Sequence, residues 1–129
     1  TFVRDTTEEA WADAEAKVAE MANGGAVWRD QHRATAVGQQ RLLDLQNRGD
    51  VLDDNLYTAP GRFGGGGAGT TWLVGSPEDV ARSLRKYRDL GITHFVLSDT
   101  PYLREIERQG TQLLPLLRDA ERQERAIAS

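Results

Sequence analysis

The chain has 129 residues, 39% of them hydrophobic and 28% charged, with a formal net charge of −4, which suits one domain or part of a larger one and excludes a disordered composition. That charge gives no general attraction to nucleic acid or an anionic membrane, no apolar run approaches the length of a membrane span, and Thr1–Asp5 lacks the regions of a secretion signal. Cysteine is absent, so there is neither a disulfide nor a thiolate nucleophile, and a cytoplasmic protein is expected.

Residues 2 to 4 are extended and apolar. Thr6 and Glu9 then stand at capping-box spacing, hydroxyl to the N3 amide and carboxylate back to the cap amide. A helix follows to about Met21, with Trp11, Ala14, Val18 and Met21 at steps of three and four on one face, and Asn23-Gly24-Gly25 ends it. A second helical region spans roughly Val27 to Asn47; it is rich in Arg and Gln and reads as a solvated face or an oligomer contact. Gly38 weakens it, and Arg48-Gly49-Asp50 stops it. Residues 50 to 60 read as a loop with a short turn around Leu52. Gly61-Arg62-Phe63 then leads into a run in which five of the six residues from Gly64 to Gly69 are glycine, a segment that holds no single conformation cheaply.

Beyond it the pattern sharpens. Thr71–Val74 is a short buried strand, and Gly75-Ser76-Pro77 turns it into a helix with Ser76 at the N-cap, Pro77 at N1 and Glu78 and Asp79 facing the dipole. Val80, Ala81, Leu84 and Tyr87 form the inner stripe of that helix, which Leu90-Gly91 closes. Ile92 to Leu97 reads as a second buried strand, and Ser98–Tyr102 as a loop. A last helix starts near Leu103, with Pro115 ending or kinking it, and residues 119 to 129 form a charged tail. Strand, helix, strand, helix is the rhythm of a parallel α/β fold, and so few parallel strands do not close a layer. A larger upstream part is therefore expected; a small self-contained α/β domain is the alternative. The two histidines, His32 and His94, lack ligand spacing, so no metal site is expected.

Several stretches stand in a telling order: Val3-Arg4-Asp5-Thr6 with Glu8–Trp11, Val37-Gly38-Gln39-Gln40-Arg41, Gly66-Gly67-Ala68-Gly69-Thr70, Leu73–Pro77, Tyr87–Ile92, Phe95–Ser98 with Pro101 and Leu103, and Leu113–Leu117. Together they resemble the alkanesulfonate monooxygenases of the bacterial-luciferase-like superfamily. The resemblance implies an α/β fold, the C-terminal part of a (β/α)8 TIM barrel with a helical insertion. Residues 7–60 would then hold the insertion, 61–70 a Gly-rich mobile loop, and 71–118 the last two βα units. It also implies an enzyme that takes reduced FMN from a partner flavin reductase and uses O2 to cleave a carbon–sulfur bond in a small organosulfur compound, in a homo-oligomer. Another flavin or deazaflavin oxidoreductase, or a non-catalytic barrel fragment, is the alternative.

In such barrels the chemistry sits at the C-terminal ends of the strands, which places Gly75-Ser76 and Ser98–Tyr102 at the mouth. The family usually carries an arginine directly before the Gly-Gly-Ala-Gly-Thr loop, where Gly65 stands here, so Arg62 becomes the candidate cation for a sulfonate or phosphate oxygen; a solvated loop arginine is its bland reading. The family's tyrosine after the last strand is displaced to Tyr102, a candidate proton or hydrogen-bond donor or else a surface aromatic. Gly66, Gly67 and Ser98 are the expected cofactor contacts. The glycine loop itself is read as a lid that keeps water from the reacting flavin, with a phosphate cradle and a plain linker as alternatives.

Overall fold

In the computed structural model, which describes residues 1–23, 37–63 and 71–127, the chain opens on strand β1 (Phe2–Val3) and turns into helix α1 (Thr7–Asn23). The capping box forms as expected: Glu9 N–H donates to Thr6 Oγ1 at 3.2 Å and Thr6 N–H to Glu9 Oε2 at 3.3 Å, which satisfies two otherwise orphaned donors. Helix α2 (Val37–Gln46) ends in turns at Arg48 and Gly49. The rest of the expected second helix, with Trp28 and His32, and the glycine run lie outside the described residues.

The segment expected to be a loop is instead a hairpin. Strand β2 (Val51–Leu52) pairs antiparallel with β3 (Leu56–Tyr57) through a three-residue turn in which Asp53 takes a φ of 51°, a left-handed conformation that aspartate tolerates. A single helical turn, α3 (Pro60–Phe63), follows, so Gly61, Arg62 and Phe63 are helical and do not belong to a loop. Strand β4 (Trp72–Gly75) leads into α4 (Pro77–Asp89). The Asp79 N–H donates to Ser76 Oγ at 3.3 Å, so Ser76 is the N-cap and Pro77 begins the helix as the sequence predicts.

The sheet runs β1-β4-β3-β2; β1 and β4 are parallel, and β3 is antiparallel to β4. Side chains alternate across it. Phe2, Trp72, Val74 and Tyr57 face α1, packing on Ala10 and Ala14 with Trp11, Val18 and Met21 at the margin. Phe2 and Trp72 stack at 5.3 Å and Trp11 meets Tyr57 edge-on at 5.3 Å. On the other face Val3 and Leu73 meet Val80, Ala81, Leu84 and Leu113, with Leu116 and Leu117 beside them. The parallel pair followed by α4 is the unit that a barrel wall repeats. Helix α1 lies on the opposite face, whereas a barrel wall carries its helices on the outside only.

That placement explains the main departure from expectation. Ile92–Leu97 forms no strand, and Val96 is 97% exposed. With α1 and α4 on opposite faces, a right-handed crossover through α4 carries the chain back past β4 toward the outer edge of β1. The other edge of β4 is already held by β3. The chain reaches β1 only at Ser98, whose carbonyl accepts a hydrogen bond from the Thr1 amino group at 3.1 Å. Residues 92–97 come before that meeting point and have no described strand beside them, so no ladder forms; Leu97 alone joins the second core.

The chain ends in one continuous helical rod: α5 (Tyr102–Arg108), a π-helical turn (Gln109–Leu113) and α6 (Leu114–Ile127). Pro115 neither ends nor breaks it. Its ring would crowd the carbonyl four residues back, and the wider π turn just before it relieves that clash. Residues 119 to 127, expected as a tail, are helical. No helix among the described residues is long and apolar enough to cross a membrane.

Candidate functional site

Arg4 follows directly on β1 and Gly75 closes β4, so both stand at the C-terminal ends of the parallel pair. The Arg4 guanidinium is largely buried and serves three elements. Nε lies 2.7 Å from Asp13 Oδ2 on α1, and Nη1 lies 2.6 Å from its neighbour's carbonyl at Val3 and 3.3 Å from Glu105 Oε2 on α5. The same Nη1 is 3.8 Å from Asp99 Oδ2. The Glu105 and Asp99 side chains are 3% and 5% exposed. Carboxylates that deep are held only beside cations, and removing one partner of such a cluster costs about 3–5 kcal/mol because the other is left buried and uncompensated.

The loop after Ser98 is tied down from two sides. Asp99 Oδ1 accepts the Thr100 N–H at 2.7 Å. Lys17, on α1, donates from Nζ to Thr100 Oγ1 at 2.7 Å, lies 3.6 Å from Asp99 Oδ1, and stands 5.3 Å from the Phe2 ring centroid. Asp99 Oδ2 is buried and takes no hydrogen bond from any of the described residues. Nearby, the first turns of α1 and α4 are joined by the Thr7 hydroxyl donating to the Asp79 carboxylate. That bond, ahead of the contact with Arg82, holds the Asp79 pKa below the ordinary carboxylate value although burial opposes it. A Cβ on Gly75 would stand 2.8 Å from Asp79 Cβ, so this close approach of strand end to helix requires glycine.

Of the residues singled out in the sequence, the described ones, Arg62, Ser98 and Tyr102, do not converge. Ser98 lines an apolar groove of about 320 Å³ with Leu73, Leu84, Phe95 and Val96, and neither Arg62 nor Tyr102 lines it. Tyr102 opens α5 and is 64% exposed. Arg62 lies within α3 and pairs with the Asp50 carboxylate. Gly66 and Gly67 lie outside the described residues. A further cavity of about 350 Å³ sits between the β2–β3 turn and α4, lined by Asp53, Asp54, Ser83, Lys86, Tyr87 and Leu90. There Tyr87 donates to Asp53 at 2.9 Å, and burial, with that carboxylate, pushes its pKa up to about 12.

Sequence reasoning missed Arg4, Lys17 and Glu105. One signal was available: Glu105, Gln109, Leu113 and Leu117 recur every four residues in the last helix, and the first three are buried, which marks Glu105 as an inward-facing acid in need of a cation. Comparison with known families matches residues 1–94 to a model described as luciferase-like monooxygenase. The matched span holds β1 through α4, hence Arg4, Lys17, Ser76 and Asp79, and stops before Ser98.

Proposed function

We propose that this chain, which belongs to the luciferase-like monooxygenase family, forms the C-terminal part of a (β/α)8 barrel enzyme that uses reduced FMN and O2 on a small organosulfur compound such as an alkanesulfonate. The family match carries the reading. The clustering of polar groups at the C-terminal ends of β1 and β4, where barrel enzymes place their chemistry, supports it. Asp99 Oδ2, which has Arg4 nearby but no hydrogen bond among the described residues, suits a flavin, whose ring N–H and ribityl hydroxyls are donors in search of acceptors.

Reduced FMN, when bound, supplies the electrons that activate O2. In this reading the chain's own residues bind, orient and exclude water. Arg4 and Lys17 hold the Ser98–Pro101 loop, the Ser98 carbonyl and Asp99 offer acceptors, and Gly66 and Gly67 allow close backbone approach to the cofactor. Arg62 moves from Asp50 to a sulfonate oxygen, and Tyr102 donates a hydrogen bond at the mouth. A flavin reductase supplies the reduced cofactor to a cytoplasmic homo-oligomer. One observation favours a second, non-catalytic reading: α1 covers the Phe2–Trp72 face, which in a closed barrel would look into the interior.

Anaerobic titration with reduced FMN, followed by tryptophan fluorescence, separates the two. Saturable quenching of Trp11 and Trp72 is expected, and its absence refutes the flavin reading. With reductase, O2 and an alkanesulfonate added, the 129-residue chain alone should release no sulfite; release would refute its being only part of the catalytic unit.

A further inference from the structure

We propose that Lys17 is a positioning residue, acting through Thr100 and Asp99 to hold the Ser98–Pro101 loop in the form that receives the cofactor; this rests on the flavin reading above. Lys17 sits on the third turn of α1 yet reaches a loop 83 residues away, with its ammonium 2.7 Å from Thr100 Oγ1 and 3.6 Å from Asp99 Oδ1. Its Nζ lies over two rings, 5.3 Å from the Phe2 centroid and 5.7 Å from that of Trp72, which draws the cation toward the loop.

The loop has few other anchors. Its described contacts with the rest of the chain are the Thr1–Ser98 hydrogen bond, the 3.8 Å approach of Arg4 to Asp99, and the start of α5. Arg4 is shared among Asp13, Glu105 and the Val3 carbonyl, and Nη1 lies closer to Val3 and Glu105 than to Asp99. Among the described residues Lys17 is therefore the side-chain cation whose hydrogen bond goes to the loop. Without it, Asp99 is left buried at 5% exposure with the shared Arg4 guanidinium at 3.8 Å and the Thr1 amino group as its countercharges, a less compensated state that favours rearrangement of the loop. An acceptor that must meet a donor on a bound molecule is useful only if it is held still, and a charge-assisted bond from a half-covered lysine does so without closing the site.

The test compares Lys17→Met, which keeps the stem over Phe2 and Trp72, with Lys17→Arg, which keeps charge and donor. The readouts are reduced-FMN affinity, amide exchange at residues 99–100 and thermal midpoint. Lys17→Met should weaken FMN binding by about tenfold, speed exchange at the loop and lower the midpoint, while Lys17→Arg restores all three. Unchanged affinity and exchange in Lys17→Met, or equal losses in the two variants, would overturn the proposal. If the unsubstituted chain binds no FMN, the flavin reading fails by itself and the positioning role is decided by exchange at residues 99–100.

Discussion

Replacing Asn55 by alanine tests the join between hairpin and sheet. Asn55 is buried; its Nδ2 donates to the Val74 carbonyl at 2.9 Å and its Oδ1 accepts from Ser83 Oγ at 2.6 Å. The backbone carbonyl of Asn55 also accepts from Val74 N–H at 3.0 Å, and that bond survives the substitution. The change therefore strands two buried groups, the Val74 carbonyl and the Ser83 hydroxyl, at about 1–3 kcal/mol each. We expect a loss of about 2–6 kcal/mol in urea unfolding followed by tryptophan fluorescence, and a fall of roughly 10 °C or more in the thermal midpoint. Ser83→Ala removes one of the two bonds and should cost less. Because the pair shares a bond, the double variant should fall short of the sum by about 1 kcal/mol. A loss below about 0.5 kcal/mol for Asn55→Ala, or strict additivity, would refute the role assigned to this residue.

Two further outcomes follow from the strand ends. Gly75→Ala places a Cβ 2.8 Å from Asp79 Cβ, which cannot swing aside, and should destabilise by about 1–3 kcal/mol in the same unfolding assay; a neutral variant would contradict the close approach. Asp79 has its folded pKa depressed, chiefly by Thr7. Its contribution is therefore present above the ordinary carboxylate value and is lost as pH falls through the lower, folded value. The stability gap between the wild type and Thr7→Val should be constant near neutrality and shrink below about pH 4, and a gap independent of pH would remove Asp79 from the explanation.

Elements whose causes are local were legible in the sequence. The Thr6–Glu9 box, the Ser76-Pro77 start and the stripes of α1 and α4 each depend on residues within a turn or two, and each formed. The β2–β3 hairpin was missed because strands of two residues cannot show alternation; the Asp53-Asp54-Asn55 turn between two apolar pairs was its only trace. Ile92–Leu97 has the composition of a strand, but pairing depends on what lies alongside, and that is decided by α1 and α4 taking opposite faces. The candidate site divided the same way. Ser98 was found from its place after an apolar run, whereas Arg4, Lys17 and Asp99 meet through tertiary contacts over more than eighty residues. Arg62 was placed in a loop because Gly61 and the following glycines mask the short helical turn that Pro60 starts.

The widened turn at Gln109–Leu113 also sets the phase of the whole C-terminal rod. In an unbroken α-helix, residues spaced by four drift about 40° per step, so three steps from Glu105 to Leu117 would carry the two to different sides. The extra width of the π turn takes up much of that drift. One rod thus delivers an acid to Arg4 at its start and leucines to the core farther on. Deleting a single residue there would restore ordinary winding and still leave Glu105 within about 20° of the leucine side, whereas forcing ordinary winding on all the residues present would swing it about 120° away, separating the charge lock from the apolar seat that it shares a backbone with.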